Sequence, residues 1–262
     1  MTKSSIPTLE KILGKNYKWW YLCLFGVRSN TTYVVSDILW FIGQIVYIFG
    51  FIYLYTKIST VEILHEIIIT NLIASFLTFH ITYYVDESIF HGHISSTLLQ
   101  PSNIMLRYFF GTIGVAIRGI VFNIILFIGV LYYFGFNLNI LSFIYILPLV
   151  LMVGVAIKFF VEFIIGSITF WTKVGYGQIN LYLSTYVVLN GSVISYTFLP
   201  DYFKLNPFAF GTYHPMQIYL GKYTILQTLY VFLGGLAWCL VLYLLSKLIF
   251  KLGLKRYESV GL

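Results

Sequence analysis

Residues 86–108 read DESIFHGHISSTLLQPSNIMLRY, and the rest of the chain is organised around them. This is the longest polar-leaning interruption in a sequence otherwise suited to lipid. It carries Asp86, Glu87, His91, His93 and Arg107, but also Ile89, Phe90, Ile94, Leu98 and Leu99. A loop that only returned the chain to the membrane would not need those apolar side chains. At helical spacing Phe90, Ile94, Thr97 and Leu98 share one face. Pro101 stops the helix and pushes Gln100 toward extended geometry. Two readings stand on the residues alone: a short helix at the membrane edge gripped by another protein, or a surface helix that only seals the bundle.

The surroundings of that stretch set the class. Of 262 residues 59% are hydrophobic and only 10% charged, with mean hydropathy +0.87. Soluble chains average roughly 25% charged residues, so the composition is that of an all-α polytopic membrane protein forming a single transmembrane domain. The net charge of +7 could suggest nucleic acid. The basic residues, however, cluster at the two ends of the chain beside apolar stretches, which is a membrane-orientation pattern. Cys23 and Cys239 lie in apolar surroundings and read as small buried hydrophobes. No cleavable leader is expected, because the first long apolar run begins near Thr31 without a small-residue cleavage site.

Six apolar stretches are long enough to cross roughly 30 Å of hydrocarbon. They run about Tyr33 to Tyr55, Val61 to Val85, Met105 to Phe134, Ile140 to Trp171, Tyr176 to Phe198 and Tyr223 to Phe250. With both termini inside, eleven Lys and Arg fall on the inner side. The outer side then has only Lys57, Lys204 and Lys222. That imbalance places both termini, and residues 86–108, in the cytoplasm. Residues 1–30 bring Lys11, Lys15 and Lys18 next to Trp19 and Trp20, which predicts an interfacial amphipathic helix rather than a disordered basic tail.

Residues 199–222 are unusual for an outer loop. Pro200, Pro207 and Pro215 divide a segment full of Phe, Tyr, Leu and Met. Short re-entrant or interfacial helices are expected, since backbone breaks at membrane depth survive only where protein or water covers them. An ordinary aromatic loop lying on the membrane is the other reading.

Several chemistries lack their residues. Gly14-Lys15-Asn16 and Gly221-Lys222-Tyr223 lack the upstream glycine and following Ser or Thr of a phosphate loop, so this chain is not expected to hydrolyse ATP. His91 and His93 are two apart and point to different helix faces, unlike zinc ligands, and no metal is expected. His65-Glu66 lacks the second histidine of a zinc hydrolase. Charges within spans cost roughly 2.5–3.5 kcal/mol each at the centre and need a reason. Arg118 falls mid-way along the third stretch, and Lys158 and Glu162 lie one turn apart in the fourth, where they can pair. Either they line a polar pathway or they only fix packing.

Several local strings resemble the permease subunit of type-2 ABC exporters, in the daunorubicin-type bacterial subfamily. Phe90-His91-Gly92-His93-Ile94 through Leu98-Leu99-Gln100-Pro101 is similar to the segment after the family's second span. Phe170-Trp171-Thr172 is similar to its "FW" at the end of span four. Asn190-Gly191-Ser192 to Phe198-Leu199-Pro200 resembles its approach to the outer loop. Asn206-Pro207-Phe208-Ala209 and Pro215 through Lys222 resemble the outer loop itself, and Lys255 through Gly261 its basic tail. Order and spacing together carry the resemblance. Gln100 departs from it, standing where the family often has a basic residue.

The resemblance implies two cytoplasmic ABC ATPase subunits, which bind ATP and Mg, under two permease subunits that are identical or paralogous. No cofactor is implied in this chain. It implies a coupling helix between spans two and three, with Glu87, Phe90, His91, Gly92, Leu98, Leu99 and Pro101 facing the ATPase. It places an outer gate at Pro200, Asn206, Pro207, Phe208 and Pro215, and the protein in the bacterial cytoplasmic membrane, working outward. Aromatics are 20% of residues. A pathway lined by them suits an amphipathic or lipid-like substrate, a peptide or a drug, although plain lipid-facing packing gives the same composition. The competing reading is a stand-alone secondary carrier, or a membrane immunity or receptor protein, with no ATPase partner.

Overall fold

The computed structural model describes residues 34–58, 61–77, 79–100, 103–134, 146 and 149–257. Expectations for residues 1–30, for Pro101, for the start of the fourth apolar stretch and for the tail from 258 onward lie outside the described residues. Everything regular among the described residues is helical, with no strand. In chain order the helices are α1 (Val34–Ile58), α2 (Val61–Ser75), α3 (Ile81–Phe90), α4 (Ile94–Leu98) and α5 (Ile104–Tyr133). A π-helical turn, Leu149–Gly154, then runs into α6 (Val155–Ser167). It is followed by α7 (Thr169–Thr172) and α8 (Tyr176–Leu189). Short 3-10 turns at Tyr196–Phe198, Asp201–Leu205 and Pro207–Phe210 lead to α9 (Tyr213–Tyr219) and α10 (Ile225–Leu254).

α6 is the centre. It packs against α10 on one side and α3 on the other. Val155, Ile157, Phe159 and Phe163 are buried, and so are Lys158 and Glu162. A helix covered all round belongs to the interior of a bundle. Two helices among the described residues are long and apolar enough to cross a membrane, Met152–Thr172 and Ile225–Leu254. They differ in place: the apolar window of the first is 67% buried and that of the second 17%. α10 therefore lies at the perimeter, with Leu229, Leu233, Leu236, Leu240 and Leu244 exposed. Exposed leucines along such a helix suit contact with lipid rather than water.

The first, third and sixth expected stretches appear as α1, α5 and α10 with ends moved by a few residues. The second does not run unbroken from Val61 to Val85. It stops at Ser75 and restarts at Ile81. The last turn of α2 tightens, with Phe76 N bonding Ile73 O and Leu77 N bonding Ala74 O. The fifth is shorter than expected, because α8 ends at Leu189 after 14 residues, about 21 Å. Gly191 follows at φ 78, in the left-handed region that ends a helix cheaply when glycine occupies it.

The stretch at 86–108 also differs from expectation. α3 carries straight through Asp86 to Phe90, and a turn at Gly92 separates it from α4. Ile94 is fully buried while Phe90 is 57% exposed, so Phe90, Ile94, Thr97 and Leu98 do not form one face.

Candidate functional site: a stitched helix end and a clamped helix break

α3 shows a clear stripe. Ile81, Thr82, Val85 and Ile89 are buried, and Tyr83, Tyr84, Glu87 and Phe90 are exposed. Side chains at its far end tie it to three other elements. Asp86 accepts a hydrogen bond from the Thr169 hydroxyl of α7 and lies against Gly175, which caps α8. Gln178 donates in turn to Thr169 Oγ1 at 3.1 Å. Ser88 and Tyr108 of α5 share a hydrogen bond of 2.7 Å. Ser95 Oγ lies 3.0 Å from the Tyr257 hydroxyl, beyond α10. α5 starts where Asn103 caps it, Oδ1 accepting from the Met105 and Leu106 amides at 2.9 and 3.4 Å.

With the polar groups so engaged, the apolar ones are left outside. Phe90, Leu98 and Leu99 are 57%, 45% and 88% exposed. Glu87 and His91 are exposed beside them and Gly92 is half-buried. Leu98 and Leu99 are therefore offered on a segment whose other side is fastened to the bundle. The His91 and His93 rings stand 5.9 Å apart. No group of three or more His, Cys, Asp or Glu able to hold a metal ion occurs among the described residues.

At the other end of α3, the helix break is met by side chains from two neighbours. The Asn123 amide of α5 donates to Ser75 O at 2.6 Å. The Lys158 ammonium of α6 donates to Phe79 O, and Glu162 Oε2 accepts the Ile81 N–H at 2.5 Å. Lys158 and Glu162 also pair with each other, with side chains 1% and 0% exposed. Tyr182 donates to Glu162 Oε1 at 3.2 Å, and His80 Nδ1 stands 3.5 Å from the same oxygen. Lys158 Nζ lies 4.5 Å from the Phe79 ring centroid and 5.0 Å from that of Tyr186, so its other side meets aromatic faces. One zwitterion thus supplies the donor and the acceptor that an interrupted helix lacks. Arg118 belongs to α5, and its side chain lies outside the described residues.

Residues 190–224 close a longer break with neutral groups. Asn206 caps the turn Pro207–Phe210, accepting from Ala209 N at 3.1 Å. Its amide donates to Phe203 O at 2.7 Å and to Tyr196 Oη at 2.8 Å. Tyr196 then donates to Leu189 O, an end carbonyl of α8. Thr212 Oγ1 donates to Asn190 O at 2.7 Å. Pro200 and Pro207 each open a 3-10 turn. Pro215 sits in the first turn of α9, where its missing N–H is not needed. Phe208 packs on Tyr186, ring centroids 5.1 Å apart. The five residues expected at an outer gate thus belong to one buried-to-half-buried assembly, Pro200 excepted, which is exposed.

Glu66 of α2 fastens this assembly. Its carboxylate meets Lys222 Nζ at 2.7 Å, Gln217 Nε2 at 3.3 Å, Ser195 Oγ at 3.3 Å and the Thr197 hydroxyl. Further out, Lys204 pairs with Asp201 at 2.6 Å, and the ammonium holds the exposed Asp201 carboxyl below its ordinary range. Sequence reasoning singled out Lys158 and Glu162 but not Asn123, Tyr182 or Tyr257. The last three are ordinary polar residues whose partners lie far along the chain. Glu66 carried a signal, as a charge inside an apolar run.

No curated protein and no solved structure matches this chain. The model of one family, the ABC-2 family transporter protein, matches residues 40–261. That match covers most of α1, all of α2 through α10 and all three assemblies just described. The chain is a membrane protein of the ABC-2 transporter family.

Proposed function

We propose that this chain is the permease subunit of an ATP-driven exporter of the daunorubicin type. It would cross the bacterial cytoplasmic membrane six times with both termini inside. Hydrolysis would fall to two separate ABC ATPases holding ATP and Mg, and a second permease subunit, identical or paralogous, would complete the pathway. Residues 86–108 serve as the coupling segment. The observation that carries this is the pairing of the family match with the exposed Phe90, Leu98 and Leu99 on a segment fastened from behind. Apolar side chains flanked by Glu87 and His91 suit a groove on a soluble partner better than lipid.

α3 then acts as a rod between the ATPase and the break at 76–80. A push on α4 reaches α6 through the Ile81–Glu162 contact and α5 through Ser88–Tyr108. The assembly at 190–224 narrows the outer exit. A chain with 20% aromatic residues favours an amphipathic or lipid-like cargo, a peptide or a drug.

Purification of the chain from its native membrane in mild detergent tests the reading. A stoichiometric ATPase should accompany it. Charge reversal at Glu87 combined with Leu98→Asp should lower ATPase capture about tenfold or more while the chain still inserts. A chain that travels alone even after cross-linking at residues 86–108 would overturn the proposal.

A further inference from the structure

Three strings far apart in the sequence meet at one point: Gly92 between α3 and α4, Phe170 in α7 and Tyr257 beyond α10. The Tyr257 ring meets Phe170 edge-on at 5.9 Å, and Phe170 meets Phe250 of α10 the same way at 5.7 Å. Gly253 allows this, since a Cβ there would overlap the Phe170 ring. The inner end of α10 therefore sits flush on α7 and delivers the Tyr257 hydroxyl to the turn. That oxygen lies 3.2 Å from Gly92 O and 3.0 Å from Ser95 Oγ. A phenol has one proton. Tyr257 must donate to the Gly92 carbonyl, so the Ser95 hydroxyl donates to Tyr257.

The turn needs such a grip. Gly92 stands at φ 75, a conformation that glycine takes at no steric cost but that leaves the chain free to choose others. α4 has five residues, too few to be stable as a helix by itself. Its direction is set by what holds it from outside. Buried Ile94 is one hold, and the Tyr257 hydroxyl is the other.

We propose that Tyr257 is a positioning residue: its hydroxyl fixes the angle at which α4 presents Leu98 and Leu99 to the ATPase, linking the inner end of α10 to the coupling segment. This rests on the reading of residues 86–108 given above. Were Tyr257 only a filler, its ring against Phe170 would suffice and the hydroxyl would be idle.

The test is Y257F in the full chain, assembled with its ATPase in lipid nanodiscs, beside S95A and the double variant. Amide hydrogen exchange across residues 92–98 is read together with kcat and KM for ATP-Mg. In Y257F, those amides should exchange about tenfold faster while α6 is unchanged. The kcat of the complex should fall about threefold or more, with KM and the melting temperature unaltered. The double variant should be no worse than Y257F, because both remove one shared contact. Wild-type exchange and turnover in Y257F would overturn the proposal. So would a loss of turnover that merely follows the loss of folded complex. If the unaltered chain captures no ATPase, the permease reading is what fails, and the exchange data still decide whether the hydroxyl holds the turn.

Discussion

The helices are interrupted at 76–80 and again at 190–212, and the two gaps are closed by different chemistry. At the first, one ammonium and one carboxylate on adjacent turns of α6 take up Phe79 O and Ile81 N–H, with a single amide from Asn123 at Ser75 O. At the second, Asn206, Tyr196, Thr212 and Asn190 cap one another and the end of α8. A short gap brings one donor and one acceptor close together, within reach of one ion pair, and leaves one further carbonyl to a second helix. A long gap spreads its needs over many turns, and its own amides and hydroxyls can meet them. The ionic closure is concentrated and gives up much hydration. The neutral one is distributed, so no single loss empties it.

The largest effect should follow from breaking the concentrated closure. Lys158→Met leaves Glu162 buried without its cation, and a buried charge stripped of its partner costs about 3–5 kcal/mol. Thermal unfolding in detergent should show this as a large drop in melting temperature or as loss of folded chain. Lys158→Met with Glu162→Leu should recover part of that loss, since no lone charge remains. Recovery will be incomplete because Phe79 O and Ile81 N–H are left bare, each at about 1–3 kcal/mol. A double variant as stable as the parent would show that the pair does not serve the break, and the contrast between the two gaps would collapse.

Asn206→Ala comes next. It removes the cap on Pro207–Phe210 and the contacts to Phe203 O and Tyr196, at about 1–2 kcal/mol. The loss is smaller than at Lys158 because Tyr196 still reaches Leu189 O and Thr212 still reaches Asn190 O. If Asn206→Ala proves as damaging as Lys158→Met in the same assay, the second closure is not distributed.

How far these gaps could be read from the sequence follows the same division. Pro200, Pro207 and Pro215 announce irregular backbone, and short helices were legible there. The earlier end of α8 was not, since Asn190-Gly191-Ser192 is a brief polar dip in a run that returns to Val193 and Ile194. At 76–80 the order is reversed. Phe76-Leu77-Thr78-Phe79-His80 contains neither Pro nor Gly and reads as continuous apolar helix. The charges that close it, Lys158 and Glu162, stood out as costly inside an apolar stretch. Their pairing could be inferred from spacing within one helix. Their shared target, some eighty residues upstream, could not. The stretch at 86–108 shows the same limit. Its amphipathic make-up was plain, but the Gly92–Tyr257 contact joins residues 165 apart.

The smallest effect should come from Lys222→Ala, which sets an ion pair inside the neutral region. Lys222 meets Glu66 at 2.7 Å, yet its side chain is 48% exposed. Water shares its charge, so the pair is worth about 0–1 kcal/mol rather than the cost of a stranded buried ion. Glu66 keeps Gln217, Ser195 and Thr197 as donors when the lysine is gone. Glu66→Ala removes all four contacts at once and should destabilise more than Lys222→Ala in the same thermal assay. Equal losses would mean that the ammonium supplies all that Glu66 contributes, leaving Asn71, which donates to Ser192 O at 3.0 Å, as a polar tie from α2 to this region. An ion pair would then matter in the second region as it does in the first.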